Sequence, residues 1–243
     1  MTDTEEDWDE GVERILVVSA HPDDVDFASA GSVATWTDKG IDVAYCIVTD
    51  GDAGGFDPAV PRNEIAGIRQ REQTEAAKEV GVDELHFLGH PDGALYPTID
   101  VRRDISRVIR QVRPQRLVCQ SPERQLDRLF ASHPDHLAAG EAAICAVYPD
   151  ARNPFAHLEL AEQGFEAWTV SEVWIMGGPK PDRWVDTTDA LDRKVAALLH
   201  HQSQHEDQSW IEEAMRGWGA ATAAAVGLPE GRLAEGYRRI ATG

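Results

Sequence analysis

Lysine is scarce in this 243-residue chain: only Lys39, Lys78, Lys180 and Lys194 interrupt an otherwise all-arginine basic set. Basic residues are outnumbered 43 to 23, which leaves a formal net charge of −20. That balance excludes a nucleic-acid partner, which needs a basic face to displace counterions. It also argues against an anionic membrane surface. No apolar run approaches the ~18 residues of a membrane span. The opening MTDTEEDWDEGV is acidic and has no apolar core, so no secretory leader is expected there. Cysteine is sparse as well. Cys46, Cys119 and Cys145 are odd in number and far apart, which speaks against a disulfide framework and for a reduced, cytoplasmic protein. No GxGxxG follows the first apolar run, so a nicotinamide cofactor is not expected.

What is present describes a globular α/β chain. Hydrophobic residues make up 42%, enough for a packed core. The acidity is uneven. Asp3, Glu5, Glu6, Asp7, Asp9 and Glu10 share the first 12 residues with no basic partner, which reads as a solvated tail. Residues 13–243 are expected to form one domain, with a core over 13–150 and an extension over 151–243. Apolar, β-branched runs at 14–20 (RILVVSA), 41–49 (IDVAYCIVT), 84–88 and 116–120 (RLVCQ) predict strands. Helical spacing is expected over 25–39, 62–80, 99–112 and about 136–148. Alternation of this kind means βαβ units and a mainly parallel sheet, a Rossmann-like three-layer sandwich. After Asp150 the pattern loosens. Residues 171–176 and 183–186 look like a strand hairpin, and helices are expected over 187–205, 211–226 and 232–240.

Chemistry concentrates in the loops after the strands. In open sheets of this type ligands bind beyond the carboxyl ends of the strands. The tripeptide HPD occurs there three times, at His21, His90 and His133. The first is followed by Asp24 and the third by His136, both metal-ligand types; the second is followed by Gly93. A hydrolytic zinc centre needs about three His or carboxylate ligands, an open position for water and a base beside it. His21 and Asp24 can reach one ion from a single loop, which leaves Asp23 close but unligated. HPDH can supply the third ligand, and spacing leaves His133 and His136 both open. The competing reading is that these loops are Pro-set turns with Asp helix caps. Arg69 and Glu72 lie on or beside the apolar stripe of the 62–80 helix, as a pocket wall or as a buried ion pair. Asp50 and Asp52 read as turn formers. His90 reads as an ordinary loop residue, and His201 as a packed helix residue.

AHPDDVDFASAGSVA (20–34) resembles the signature of the LmbE/PIG-L family of zinc-dependent N-acetylglucosaminyl deacetylases. That family includes the deacetylases of mycothiol and bacillithiol biosynthesis and the mycothiol-conjugate amidases. The later motifs follow in order: TDGDAGG, Arg69-x-x-Glu72, Asp92–Gly93, HPDH, and His201-x-Ser203-Gln204. The resemblance implies His21, Asp24 and His136 as zinc ligands and Asp23 as general base. It implies His133 as oxyanion stabiliser, with Asp135 orienting that histidine, and leaves either His133 or protonated Asp23 as acid for the leaving amine. It also implies Arg69 and Asp92 as binders of sugar hydroxyls, and a homo-oligomer with the stretch after Asp150 as interface. Asp26 and Ala28 depart from the family pattern in the first helix. Ala131 stands where the mycothiol-type enzymes carry a catalytic Tyr, which speaks against a mycothiol precursor as substrate.

The function expected is removal of an N-acetyl group from an N-acetylglucosamine-type or related small amide, with Zn2+ or another divalent metal. The alternatives are an amidase of thiol–sugar conjugates and a non-catalytic metal- or sugar-binding protein. Retention of Asp23 beside the ligands argues against the last, because a binding module has no use for an unligated base.

Overall fold

The structure, a computed structural model, describes residues 8–242. Seven strands form one sheet: β1 (Arg14–Ser19), β2 (Asp42–Thr49), β3 (Glu84–His90), β4 (Arg116–Gln120), β5 (Glu172–Met176), β6 (Arg183–Asp186) and β7 (Ala234–Ala241). Their order is β3-β2-β1-β4-β5-β7-β6. The pairs β1–β2, β1–β4, β2–β3 and β4–β5 are parallel, while β7 runs antiparallel to both β5 and β6. The helices are α1 (Asp24–Asp38), α2 (Arg62–Glu79), α3 (Ile99–Val112), α4 (Pro134–Cys145), α5 (Leu158–Glu162), α6 (Leu191–Leu199) and α7 (Ile211–Ala225). None is long and apolar enough to cross a membrane.

Strand alternation divides the core into two layers. Leu16 and Val18 of β1 pack with Ile105, Ile109 and Ala142 of α3 and α4. Ile15 and Val17 face the other way, onto Val33, Trp36, Ala76 and Ala197 of α1, α2 and α6. A strand buried on both faces has to be apolar at consecutive positions, which is why RILVVSA is a continuous run. The result is a mixed α/β sandwich with a mostly parallel sheet between two helical layers.

The chain winds outward from β1 through β2 to β3, then returns to place β4 on the other side of β1. The carboxyl ends of β1 and β4 therefore diverge at a topological switch point, where ligand sites form in such sheets. The Gln120 side chain ties the two ends together, accepting the Ala20 N–H at 2.8 Å. The helix after β4 lies against that strand so closely that a Cβ on Gly140 would stand 2.3 Å from the Gln120 carbonyl oxygen. Gly140→Ala is therefore expected to destabilise the protein by about 2 kcal/mol, since overpacking against backbone outweighs the ~1 kcal/mol gain in helix propensity. Denaturant unfolding measures this, and an unchanged or raised midpoint would refute the seating of α4.

Several expectations change beyond Asp150. The strands β5 and β6 do not pair with each other; β7 lies between them. That strand occupies the segment expected as a C-terminal helix. Ala, Glu and Arg favour helix there, but pairing on β5 and β6 and the burial of Ala234, Glu235 and Tyr237 override local propensity. The helix expected over 187–205 ends at Leu199, and the following turn carries His201 into the interior. The acidic tail is also revised where it is described. Asp9 pairs with the fully buried Arg116 at 2.7 Å, and Trp8 packs edge-on against Trp184. Arg116 is further held by Glu172 at 2.7 Å and lies 3.8 Å over the Trp174 ring. The acidic residues before Trp8 lie outside the described residues.

Candidate metal centre and catalytic site

The loop after β1 turns sharply into α1. Asp23, at the helix N-cap, has φ 91°, a left-handed conformation that costs a non-glycine residue of order 1–3 kcal/mol. Its main chain caps the helix, with its carbonyl accepting from Asp26 and Phe27, but its side chain makes no cap hydrogen bond. The helix-cap reading of this aspartate therefore fails at the side chain. Its carboxylate instead accepts from Arg69 Nη2 at 2.9 Å. The strained backbone is held from beneath: Asp23 N–H donates to Gln73 Oε1 at 2.7 Å. Gln73 Nε2 donates to Asp26 Oδ2 at 2.9 Å, and that oxygen also meets His201 Nε2 at 2.7 Å. Gln73, Asp26 and His201 are fully buried.

Asp24 joins the two HPD loops. Its Oδ2 lies 3.1 Å from His21 Nδ1 and its Oδ1 lies 3.0 Å from His136 Nε2. Both oxygens of one carboxylate are thus met by imidazoles from different loops. The second ring nitrogen of His21 also has partners, Asp92 Oδ1 at 3.0 Å and Asp135 Oδ2 at 3.3 Å. Those two carboxylates are fixed by main-chain donors. Asp135 accepts from Gly93 at 2.7 Å and Leu95 at 3.2 Å, and Asp92 accepts from Ala53 at 3.2 Å. The second HPD therefore serves the first through Asp92.

Charge is dense here, and ionisation follows it. Burial works against protonated His21, but Asp24, Asp135 and Asp92 outweigh it and raise its pKa to about 12. Burial pushes Asp24 up, yet His136 and His21 hold its carboxyl well below the ordinary range. Burial raises Asp23 to about 6, with the Arg69 charge pulling it down and Asp24 adding to the rise. Burial lowers His133, and the neighbouring imidazoles of His21 and His136 lower it further.

Two sets of three ligand-type side chains bring their donor atoms within 4.8 Å of one another: His21, His133 and His136, and His21, Asp92 and Asp135. The carboxylates of the second set are already engaged by main-chain N–H groups and face His21 Nε2. That suits them to hold the ring while its Nδ1 faces Asp24, the usual support for a metal-bound imidazole. The donors His21 Nδ1, Asp24 and His136 Nε2 fit a divalent transition metal, which takes imidazole and carboxylate together.

The structure brings His21, Asp23, Asp24, His133, Asp135 and His136 together at one sheet edge, as the spacing leads one to expect, moves two expected roles and settles a third. It is the Asp135 main-chain N–H, not its carboxylate, that meets His133, donating to Nδ1 at 3.2 Å. That bond makes Nδ1 the acceptor and leaves the proton of the neutral ring on Nε2. Arg69, read either as a holder of sugar hydroxyls or as a buried ion pair, is 3% exposed and is spent on Asp23, the Pro22 carbonyl and the Gly51 carbonyl. Asp92, expected to hold sugar hydroxyls, has both oxygens occupied by His21 and Ala53. The side chains of the expected turn formers reach α2: Asp52 binds Arg62 at 2.9 and 3.0 Å, and Asp50 accepts from Gln70. Gln73 was missed, although it lies four residues after Arg69 on the buried stripe of α2, where a polar residue needs a polar partner.

The model of the family described as "PIG-L: GlcNAc-PI de-N-acetylase" matches residues 16–147, just over half of the chain. The chain belongs to the PIG-L family. Diacetylchitobiose deacetylase of Thermococcus kodakarensis is 33% identical over 199 residues, covering 82% of this chain and 73% of that protein. A probable N-acetyl-alpha-D-glucosaminyl L-malate deacetylase 2 of Bacillus cereus is 32% identical over 200 residues, covering 79% and 84%. Among solved structures, N,N'-diacetylchitobiose deacetylase from Pyrococcus horikoshii superposes with a TM-score of 0.87 at 28% identity, covering 96% of this chain and 85% of that one. The PIG-L match runs from β1 to just past α4, the segment that carries every residue of the centre described above except His201.

Proposed function

We propose that this protein is a metal-dependent hydrolase that removes the acetyl group from an N-acetylglucosamine-type amide, with zinc as the metal. The observation that carries this reading is the Asp24 carboxylate shared between His21 and His136, with unligated Asp23 beside it on a strained, braced backbone. The deacetylase relatives support the substrate class.

His21, Asp24 and His136 would hold a divalent ion, which would supply Lewis acidity to the amide carbonyl and lower the pKa of water toward neutrality. Asp23 takes the proton of the attacking water. Burial raises its pKa to about 6, near the range where a carboxylate both accepts and returns a proton at physiological pH. Arg69 fixes the direction of that carboxylate through the 2.9 Å bond. His133, neutral and protonated at Nε2, offers a hydrogen bond to the developing oxyanion from the exposed edge of the site. Collapse breaks the C–N bond and needs a proton on nitrogen. Asp23, protonated in the first step, returns it to the amine, and acetate leaves.

Acetate release from N-acetylglucosamine and diacetylchitobiose tests the reading directly. Release that ceases on chelation and returns with added zinc is expected. Absence of release from every N-acetylated sugar tried, with metal bound, would favour a binding protein instead.

A further inference from the structure

A cavity of about 440 Å³ opens beside the metal centre, with Asp24 and His136 on its floor. It lies in the range of pockets that hold whole small-molecule ligands, and an acetyl group fills only a minor part of it. Its walls are apolar: Phe27, Met176, Leu191, Met215, Trp218 and Leu233, contributed by α1, β5, α6, α7 and the start of β7. Ala28 and Ala131 leave the side nearest the centre open. Trp210 stacks on Phe27 with ring centroids 6.1 Å apart, and Trp218 tilts onto the same ring at 6.4 Å. Both tryptophans remain substantially exposed, at 40% and 51%. Large aromatic surface left open at the mouth of a cavity marks a binding surface more often than a packing defect.

The charges around the cavity are spent. Lys194 Nζ donates to Glu235 Oε1 at 2.5 Å and to the Phe27 carbonyl at 2.7 Å. Glu235 also accepts from the main chain of Gly31 and Ser32, at 3.2 and 2.7 Å. Among the described residues, no other lysine and no arginine lines the cavity. An anionic group placed here would meet the Asp24 carboxylate and, among the described residues, no free cation, inside a chain of net charge −20. An uncharged apolar group would bury chiefly the exposed faces of Trp210 and Trp218, against a wall of already buried Met176, Leu191, Met215 and Leu233.

We infer that this chamber receives an uncharged, apolar group carried by the substrate itself, so that the preferred substrates are amphipathic N-acyl amino sugars rather than ones bearing carboxylates. This rests on the reading of the adjoining centre as an amide hydrolase. The apolar group attaches either at the glycosidic carbon or on the acyl chain, and two substrate series separate these. One comprises methyl, butyl and hexyl glycosides of N-acetylglucosamine. The other comprises N-acetyl, N-butanoyl and N-hexanoyl glucosamine. In one of them kcat/KM should rise about fourfold per added methylene, the value of burying one CH2. A glycoside of equal length ending in a carboxylate should show no rise. Thr222→Trp, which fills the chamber from α7, should bring the hexyl-to-methyl ratio close to one, and Trp218→Ala should lower it. Flat profiles in both series, with the parent amide still cleaved, would overturn the inference. Quenching of tryptophan emission reads binding independently of turnover. Were no amide cleaved, the hydrolase reading would fall. Tighter binding of the hexyl than the methyl glycoside would still uphold the chamber, and equal affinities would refute it.

Discussion

Asp23→Ala is expected to lower kcat/KM for acetyl removal by about 10³-fold while the protein keeps its metal. General bases contribute roughly 10²–10⁴-fold, and this one has no substitute within its loop. The neighbouring carboxylates are committed: Asp24 to His21 and His136, Asp92 and Asp135 to His21 and to main-chain donors. Asp23 is bonded to Arg69 instead, so its removal leaves His21, Asp24 and His136 intact. Steady-state acetate release, together with metal content by emission spectrometry, checks both halves. Unchanged turnover would remove Asp23 from the mechanism. Loss of metal along with activity would make it a ligand.

The two histidines of HPDH should separate under mutation. His136→Ala is expected to weaken metal binding by at least about 100-fold, because even outer partners of metal ligands are worth 10–100-fold. His133→Ala should retain the metal and lose turnover by about 10²-fold or more, the scale of a missing oxyanion donor. The distinction rests on where each ring points. His136 Nε2 lies on the Asp24 carboxylate at 3.0 Å. His133 is held at Nδ1 by the Asp135 N–H, caps α4 and stands edge-on to His21 with centroids 5.0 Å apart. Equilibrium dialysis against a zinc buffer, run beside activity assays, decides it. If His133→Ala sheds the metal and His136→Ala keeps it, the roles are exchanged; if both shed it, the site is the three-histidine cluster.

The buried network under Asp23 shows why part of the site could not be read from the chain. Gln73 lies 50 residues from Asp23, and His201 lies 175 from Asp26, yet they form one connected set of hydrogen bonds. Burial works against the His201 imidazolium, and the Asp26 carboxylate more than offsets it. No spacing rule joins such residues, because their partnership exists only once α2 and the turn after α6 pack on α1. Arg69 is the same case in milder form. Its place on the buried stripe of α2 was legible, but whether it faced a sugar or a carboxylate depended on what lay opposite.

The sequence by itself determined the βαβ order through β4, the placing of the HPD loops at one sheet edge, and the local trio His21, Asp23 and Asp24. Those follow from short-range physics: apolar runs, caps, turn residues and the reach of a four-residue loop. Only the tertiary structure decided that β7 is a strand, that His136 rather than His133 meets Asp24, and that Asp92 and Asp135 support His21. It also decided that Arg69 holds Asp23 and that a largely apolar cavity adjoins the centre. Each depends on residues tens to hundreds of positions apart, whose side chains acquire partners only through burial. There an unpaired charge or hydrogen-bonding group is costly enough to select one arrangement.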